Sequence, residues 1–301
     1  MNPVATWNVV QDWTEMLSYP FMVNAVRAGS IVAVVAGAVG WVMVLRRESF
    51  AGHTLAVVGF PGAAAATWLG LSAGAGYFAA CIGAAVVIAA LPRATRSRGG
   101  EQSAVIGIVQ AFALAAGMLF VSLYKGFLSG LTNLLFGTIA GVTDTQVIAL
   151  LIAAVPCLIV LALLGRPLLW ASIDSETSAA HGIPVRLLGT AFLLLLGVAA
   201  AGTSQVTGSL LVFALLVAPA AAAHQLTGHP GLGVAVAIGI ALVVTWAGMA
   251  FAFYSPYPIG FWVSTFAFGC YLLCAGVRRW LDRRQQHVAA APAGAVVEAA
   301  A

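Results

Sequence analysis

Charge is the scarcest property of this chain of 301 residues. Only 7% of its residues are charged, whereas 62% are hydrophobic, and the mean hydropathy is +1.02. About 25% of the residues of a soluble globular domain are charged, so the composition excludes a large soluble domain. It is typical of a polytopic membrane protein, in which about 20 apolar residues cross each ~30 Å layer of hydrocarbon.

Several catalytic motifs are also missing. The sequence contains no Gly-x-x-x-x-Gly-Lys-Ser/Thr loop for nucleotide phosphates and no His-Glu-x-x-His zinc motif. Its apolar segments lack the carboxylates of an intramembrane metalloprotease. The hydroxyl-rich clusters at 202–205 and 207–209 are typical of turns and helix starts, and not of a nucleophilic serine site. We therefore expect no catalytic residues and no enzyme activity.

The four cysteines all fall within apolar segments. Two of them, Cys270 and Cys274, share one helical face and have the ligand type for a soft metal. Buried cysteine more commonly serves as a small packing residue. We assign these residues no function.

Hydropathy predicts an all-α membrane protein with eight or nine transmembrane helices. The candidate spans are approximately 21–45, 54–73, 77–93, 104–124, 145–165, 187–202, 205–224, 232–253 and 260–277. The sixth span is short and the seventh follows it closely. If these two segments form a single span, the number of transmembrane helices is eight. Gly-x-x-x-Gly spacings at 70/74, 126/130 and 137/141 favour close helix packing.

The distribution of Lys and Arg predicts the orientation. With nine crossings and the N-terminus outside, eleven of the thirteen basic residues fall in cytoplasmic segments, as the positive-inside rule requires. The isoelectric point near 9.1 therefore reflects topology and does not indicate nucleic acid. We expect residues 1–18 to be an extracytoplasmic tail or surface helix, 19–280 the membrane domain, and 281–301 a disordered cytoplasmic tail.

One cytoplasmic loop, at about 166–187, has the pattern of a short capped helix. Ser172 or Asp174 can cap its start, Glu176 occupies its first turn, and Gly182 can end it before Pro184. The pattern alone is equally compatible with an ordinary capped loop and with a docking element for a soluble partner.

Four short patterns occur in a fixed order. They are RRESFAGHTLAVVGFPG at 46–62; LFG at 135–137 with Val142 and Asp144; DSETSAAHGIP at 174–184; and GSLLV at 208–212 followed by LVAPAA at 216–221. Together they resemble the permease subunits of ABC importers for zinc, manganese and iron, over nearly the whole chain from about residue 19 to the last span.

The resemblance implies a set of partners in a bacterial plasma membrane. An extracytoplasmic binding protein would deliver a divalent metal ion, most readily zinc or manganese, to a dimer of two permease copies embedded in lipid. A dimer of cytoplasmic ABC ATPases would bind and hydrolyse ATP, so this chain itself needs no cofactor. The short helix would be its ATPase-coupling element, with Asp174, Glu176, Ala179, Gly182 and Ile183 at the family's positions.

The sequence departs from the family at the expected metal site. The family has Asp and, four residues later, His on one helical face, where they can bind a divalent ion. Here these positions hold His53 and Val57. Two imidazoles from a dimer, without a carboxylate, favour zinc over manganese. His53 is the candidate ligand, and a packed interfacial histidine is the alternative.

Asp144 is a second candidate, at the outer end of the fifth span. It has the chemistry to receive an ion from the binding protein, although helix capping explains it equally well. The alternative functions are a permease for a metal chelate or a non-metal substrate, and a secondary transporter that works alone. A secondary transporter usually carries coupling carboxylates within the membrane, and this chain has almost none.

Overall fold

Long α-helices make up almost all of the computed structural model, which describes residues 9–90, 99–123, 141–208 and 212–289. The described helices are α1 Val9–Leu17, α2 Pro20–Leu45, α3 Ser49–Trp68, α4 Ala73–Ala90, α5 Gly99–Leu123, α6 Asp144–Ile173, α7 Ser175–Ala180, α8 Val185–Thr207, α9 Val212–Leu226, α10 Pro230–Tyr254 and α11 Ile259–Ala289. The described residues form no strand, which confirms the all-α prediction.

Eight of the nine predicted spans each overlap mainly with one long described helix, whereas the seventh, 205–224, begins within α8 and continues in α9. Seven of these helices are long and apolar enough to cross a membrane: α2, α4, α5, α6, α8, α10 and α11. Helix α9 has only 15 residues, and α3 is less apolar because it contains Ser49, His53 and Pro61. The count of eight or nine spans and the orientation of the termini stay predictions.

Helices α2 and α3 occupy the centre of the bundle. Helix α2 packs against α6, α8, α9 and α10, whereas α3 packs mainly against α4, α5 and α8. The middle of α2 is buried from Val32 to Met43 with one break. Next to the short turn between α2 and α3, Met43 on one side and Ala51 and Gly52 on the other are buried, whereas the turn itself is partly exposed.

Three predicted boundaries were wrong. Helix α6 continues through Pro167 to Ile173 because Leu168 and Ala171 are buried on its inner face, so the predicted loop at 166–187 begins eight residues later than expected. The cluster at 202–205 lies within α8, where the Thr203 and Ser204 hydroxyls donate to the carbonyls of Ala199 and Ala200, each at 2.7 Å. Helix α11 continues to Ala289, so the predicted tail at 281–301 starts as helix, and 290–301 lie outside the described residues.

One close helix crossing joins Gly62 of α3 to Gly76 of α4. A Cβ at Gly76 would lie 2.3 Å from the Gly62 carbonyl oxygen, and a Cβ at Gly62 would lie 2.5 Å from the Gly76 carbonyl oxygen. The predicted pair Gly70/Gly74 does not form this crossing. Gly70 instead ends α3, with a φ of 75°. The pairs 126/130 and 137/141 include residues outside the described ranges.

The crossing predicts that alanine substitutions at two glycines of α4 differ in their effect on stability. Gly76→Ala should destabilise the protein by about 1–3 kcal/mol, because the methyl group meets backbone that cannot move away. Gly83→Ala is the matched control, since nothing lies within 4 Å of its Cβ position, and the lower backbone entropy of alanine should leave stability equal or slightly higher. Thermal unfolding in detergent measures both. Equal losses for the two variants would contradict the crossing.

Candidate functional site

Arg46 and Arg47 lie in the turn between α2 and α3, and their side chains have different environments. It closes as a Schellman motif, in which the Glu48 N–H donates to the Met43 carbonyl at 3.0 Å and the Arg47 N–H donates to the Val44 carbonyl at 3.1 Å. Arg47 has a φ of 57°, a conformation that favours glycine. The Arg47 side chain is exposed, whereas Arg46 is partly buried and turns toward the protein.

His53 lies five residues into α3, one turn beyond this corner. Its ring is half-buried and meets the Phe213 ring edge-on, with 5.1 Å between centroids and an interplanar angle of 74°. Phe213 is the second residue of α9, just after 209–211, which lie outside the described residues. An imidazole in this position has one aromatic neighbour from another helix and retains access to a ligand or to solvent.

The neighbours of His53 do not complete a metal site within one chain. Val57, at the position of the family's His, is a buried apolar residue. Thr54 is fully buried, and its hydroxyl donates to Oε1 of Gln110 on α5 at 3.0 Å. Within the described part of the chain, no three His, Cys, Asp or Glu side chains are grouped so that they could hold a metal ion. His53 therefore offers one strong ligand per copy.

Asp144 is the first residue of α6 and is exposed. Thr143 caps the helix by accepting from the Gln146 N–H, and the Gln146 side chain accepts from the Thr143 N–H, which completes a capping box. At 1.5 Å per residue, Asp144 lies about 42 Å from Ser172 at the other end of α6. Because Ser172 contacts the α2–α3 turn, Asp144 and His53 lie toward opposite ends of the bundle.

Helix α7 is a single capped turn and a half between α6 and α8. Oδ1 of Asp174 accepts from the N–H groups of Glu176 and Thr177, both at 3.0 Å. At the other end the Ile183 N–H donates to the Ser178 carbonyl at 3.1 Å, and Gly182 has a φ of 80°. The structure therefore confirms the predicted local fold, with Asp174 and not Ser172 as the cap.

The predicted coupling residues differ in their exposure. Glu176, Ala179 and Gly182 face outward, whereas Ile183 is half-buried against the bundle. Asp174 is exposed at the start of the helix. Three residues thus form an accessible surface, while Asp174 and Ile183 fix the two ends of the helix.

An apolar groove lies beside α7. It has a volume of about 420 Å³ and is lined by Trp170, Ile173, Asp174, Thr177, Ser178, His181 and Ile183. Trp170 and Ile173 are 68% and 77% exposed. Sequence analysis missed these two residues, although a Trp four residues before a capping Asp was a usable signal for an exposed apolar contact.

Two of the four sequence patterns are only partly described. The LFG segment at 135–137 and residues 209–211 lie outside the described residues. Gly208 ends α8 with a φ of 79°, and Pro219 lies within α9. The described residues of the fourth pattern therefore lie at the end of α8 and within α9, the helix whose Phe213 contacts His53.

Comparisons with known proteins agree with the sequence patterns. The model of the ABC 3 transport family matches residues 18–278. The manganese transport system membrane protein MntC of Halalkalibacterium halodurans is 26% identical over 245 residues, which are 81% of this chain and 83% of that protein. The chelated iron transport system membrane protein YfeC of Yersinia pestis is 29% identical over 237 residues, 79% of each chain.

The fold is shared with a solved structure, that of PsaBC from Streptococcus pneumoniae in complex with Fab. The TM-score is 0.78 at 24% identity, and the match covers 88% of this chain and 95% of that chain. With seven helices apolar enough to span a bilayer and a family match over residues 18–278, this is a multi-pass protein of the bacterial plasma membrane, and it belongs to the ABC 3 transport family.

Proposed function

We propose that this chain is the membrane-spanning permease subunit of an ATP-driven importer of a divalent metal ion. The observation that carries the proposal is the family match over residues 18–278, together with relatives named for manganese and chelated iron transport. These names favour manganese or iron as the cargo over zinc. Because the sequence contains no phosphate-binding loop, separate ATPase subunits supply the energy.

Helix α7 and the groove beside it are the surface that would bind the ATPase. An exposed Trp next to an exposed Ile, beside a rigidly capped helix, is the kind of apolar anchor found at the centre of protein interfaces. Movement of the ATPases on binding ATP would move α7 with the end of α6, since Asp174 ends one helix and caps the other. Two permease copies would then alternate access between an extracytoplasmic binding protein and the cytoplasm.

His53 would contact the cargo during this transfer. Two copies would offer two imidazoles, which bind borderline ions such as zinc more readily than manganese. Manganese prefers carboxylate oxygens as ligands, and His53 occupies the position at which the family has a carboxylate. The site chemistry and the names of the relatives thus point to different ions, and transport measurements decide between them.

A metal chelate is the second candidate cargo. The replacement of the family's Asp and His by His53 and Val57 favours this cargo. A chelated ion already has ligands and needs fewer from the protein. One relative is named for chelated iron. In that case His53 would contact the chelating molecule through a hydrogen bond or through its ring face and would not bind the metal.

The test of the cargo is uptake by proteoliposomes that contain the permease with its ATPase and binding protein. We expect ATP-dependent uptake of manganese, iron or zinc. His53→Ala should lower it by about tenfold or more, as expected for loss of a metal ligand. His229→Ala is the matched control, because this histidine is exposed at the start of α10, and its uptake should equal that of the native protein.

The double substitution His53→Asp with Val57→His restores the family's pair. If the missing carboxylate limits manganese, this variant should transport manganese faster than the native protein. Uptake of none of the three ions, in a complex that hydrolyses ATP, would reject a bare ion as the cargo and leave the chelate. Equal uptake by native protein and His53→Ala would remove His53 from the path.

The cap of α7 provides a separate prediction about the ATPase. Asp174→Ala removes an N-cap worth about 0.5–2 kcal/mol, so α7 should fray and ATPase binding should weaken. Asp174→Asn is the control, since its side-chain oxygen still accepts from the Glu176 and Thr177 N–H groups. Copurification of the ATPase in detergent measures the difference. Native binding by Asp174→Ala, or equal weakening in both variants, would contradict a role for the capped conformation.

A further inference from the structure

A buried arginine connects the cytoplasmic helix α7 to the helix that carries His53. The Arg46 side chain is only 11% exposed. Its Nε and Nη2 atoms donate to Oε1 of Glu48 at 3.2 and 2.9 Å, and its Nη1 atom donates to Oγ of Ser172 at 3.3 Å. Its guanidinium carbon lies 5.3 Å from the centre of the Phe192 ring. One side chain thus joins the end of α2, the start of α3, the end of α6 and the side of α8.

The contact with Ser172 is the connection toward the ATPase side. Ser172 lies two residues before Asp174, the residue that ends α6 and caps α7. Its hydroxyl also donates to the Leu168 carbonyl of its own helix, so its oxygen is fixed relative to α6. A displacement of α7 that carries the end of α6 with it therefore changes the distance between Ser172 and Arg46.

The contact with Glu48 is the connection toward His53. Glu48 is the residue directly before α3, and its carbonyl accepts from the Gly52 N–H at 3.1 Å. Gly52 precedes His53 and is packed tightly, since a Cβ there would lie 2.4 Å from the sulfur of Met43. Because this hydrogen bond and the packing of Gly52 join Glu48 to the first turn of α3, a shift of Glu48 also displaces His53.

The guanidinium is suited to a rigid connection. It is planar and always charged, and its donors have a fixed geometry that a lysine does not reproduce. The ion pair of Arg46 and Glu48 lies within the α2–α3 turn, and the hydrogen bond from Nη1 to Ser172 joins this pair to the end of α6. A hydrogen bond from a charged group contributes about 1.5–3 kcal/mol, so a displacement of the end of α6 carries the turn with it until that bond breaks. Arg47 has the same charge, but its exposed side chain has no hydrogen bond or ion pair with the described residues.

We infer that Arg46 is a positioning residue that transmits movement of α7 to α3, and so links ATP hydrolysis to the opening of the path at His53. The inference rests on the proposed function, because it requires an ATPase that moves α7. A purely structural role, in which Arg46 only holds four helices together, makes a different prediction: all activities would fall in proportion to the amount of folded protein.

The experiment compares Arg46→Gln with Arg47→Gln in the complete complex of permease, ATPase and binding protein. The readout is ATP hydrolysis with the binding protein divided by hydrolysis without it, a ratio that cancels the amount of folded protein and needs no knowledge of the cargo. We expect the stimulation to fall by about 2- to 30-fold for Arg46→Gln and to be native for Arg47→Gln. Arg46→Lys should not restore it fully, since one ammonium cannot hold both partners in the same geometry.

Ser172→Ala provides a second test that removes no charge and is therefore compatible with folding. It should reduce the stimulation in the same direction, and its combination with Arg46→Gln should be no worse than Arg46→Gln alone, because both act through one contact. Native stimulation in both Arg46→Gln and Ser172→Ala would overturn the inference, as would additive losses. A native complex whose ATP hydrolysis does not respond to the binding protein would instead reject the proposed function.

Discussion

Backbone-to-backbone contact between helices is the constraint on which the arrangement depends. In a bilayer the lipid is as apolar as the side chains, so helices associate by close packing and not by the hydrophobic effect. This chain meets that requirement with glycines that have no room for a Cβ: Gly40 against the Leu216 carbonyl oxygen, Gly62 against Gly76, and Gly37 against Ile238. These contacts fix α9, α4 and α10 against the central pair, α2 and α3, so they determine the positions of His53 on α3 and of its neighbour Phe213 on α9.

The helix caps and the partly buried ion pair lie where the helices change direction, whereas hydrogen bonds such as that of Thr54 with Gln110 join helices along their length. Asp174, Glu48 and Thr143 each begin a helix, and the side chains of Asp174 and Thr143 cap theirs. The single buried charge network among the described residues, formed by Arg46 and Glu48, is at the α2–α3 turn. Apolar helices thus give the bundle its rigidity, whereas the corners hold the groups whose geometry a partner can change.

Features specified by neighbouring residues were predictable from the sequence. The cap of α7 is local: an Asp, an acidic first turn and a Gly-Ile-Pro stop within eleven residues, and the structure has this helix. Nine of the described helices were also predictable, because each is mostly apolar, although the division between α8 and α9 was placed too early. The end of α6 was not, since Pro167 looks like a boundary and only the burial of Leu168 by other helices explains why the helix continues.

Features that join distant residues were not predictable. Arg46 and Ser172 are 126 residues apart, and no pattern in either segment indicates the other. Gly62 and Gly76 belong to different helices, so a search for Gly-x-x-x-Gly found the turn residue Gly70 and missed the crossing itself. The candidate metal site was predicted from a resemblance, and the structure adds that His53 meets Phe213 and that Val57 is buried.

The length of α6 has a consequence for how the protein sits in the bilayer. Its 30 residues rise about 45 Å, whereas the hydrocarbon layer is only ~30 Å thick. A helix longer than this layer must tilt or extend beyond it. Asp144 at one end and Asp174 after the other are both exposed, as carboxylates outside the hydrocarbon would be. The extra length of α6 therefore holds α7 clear of the lipid, where a water-soluble protein can reach it.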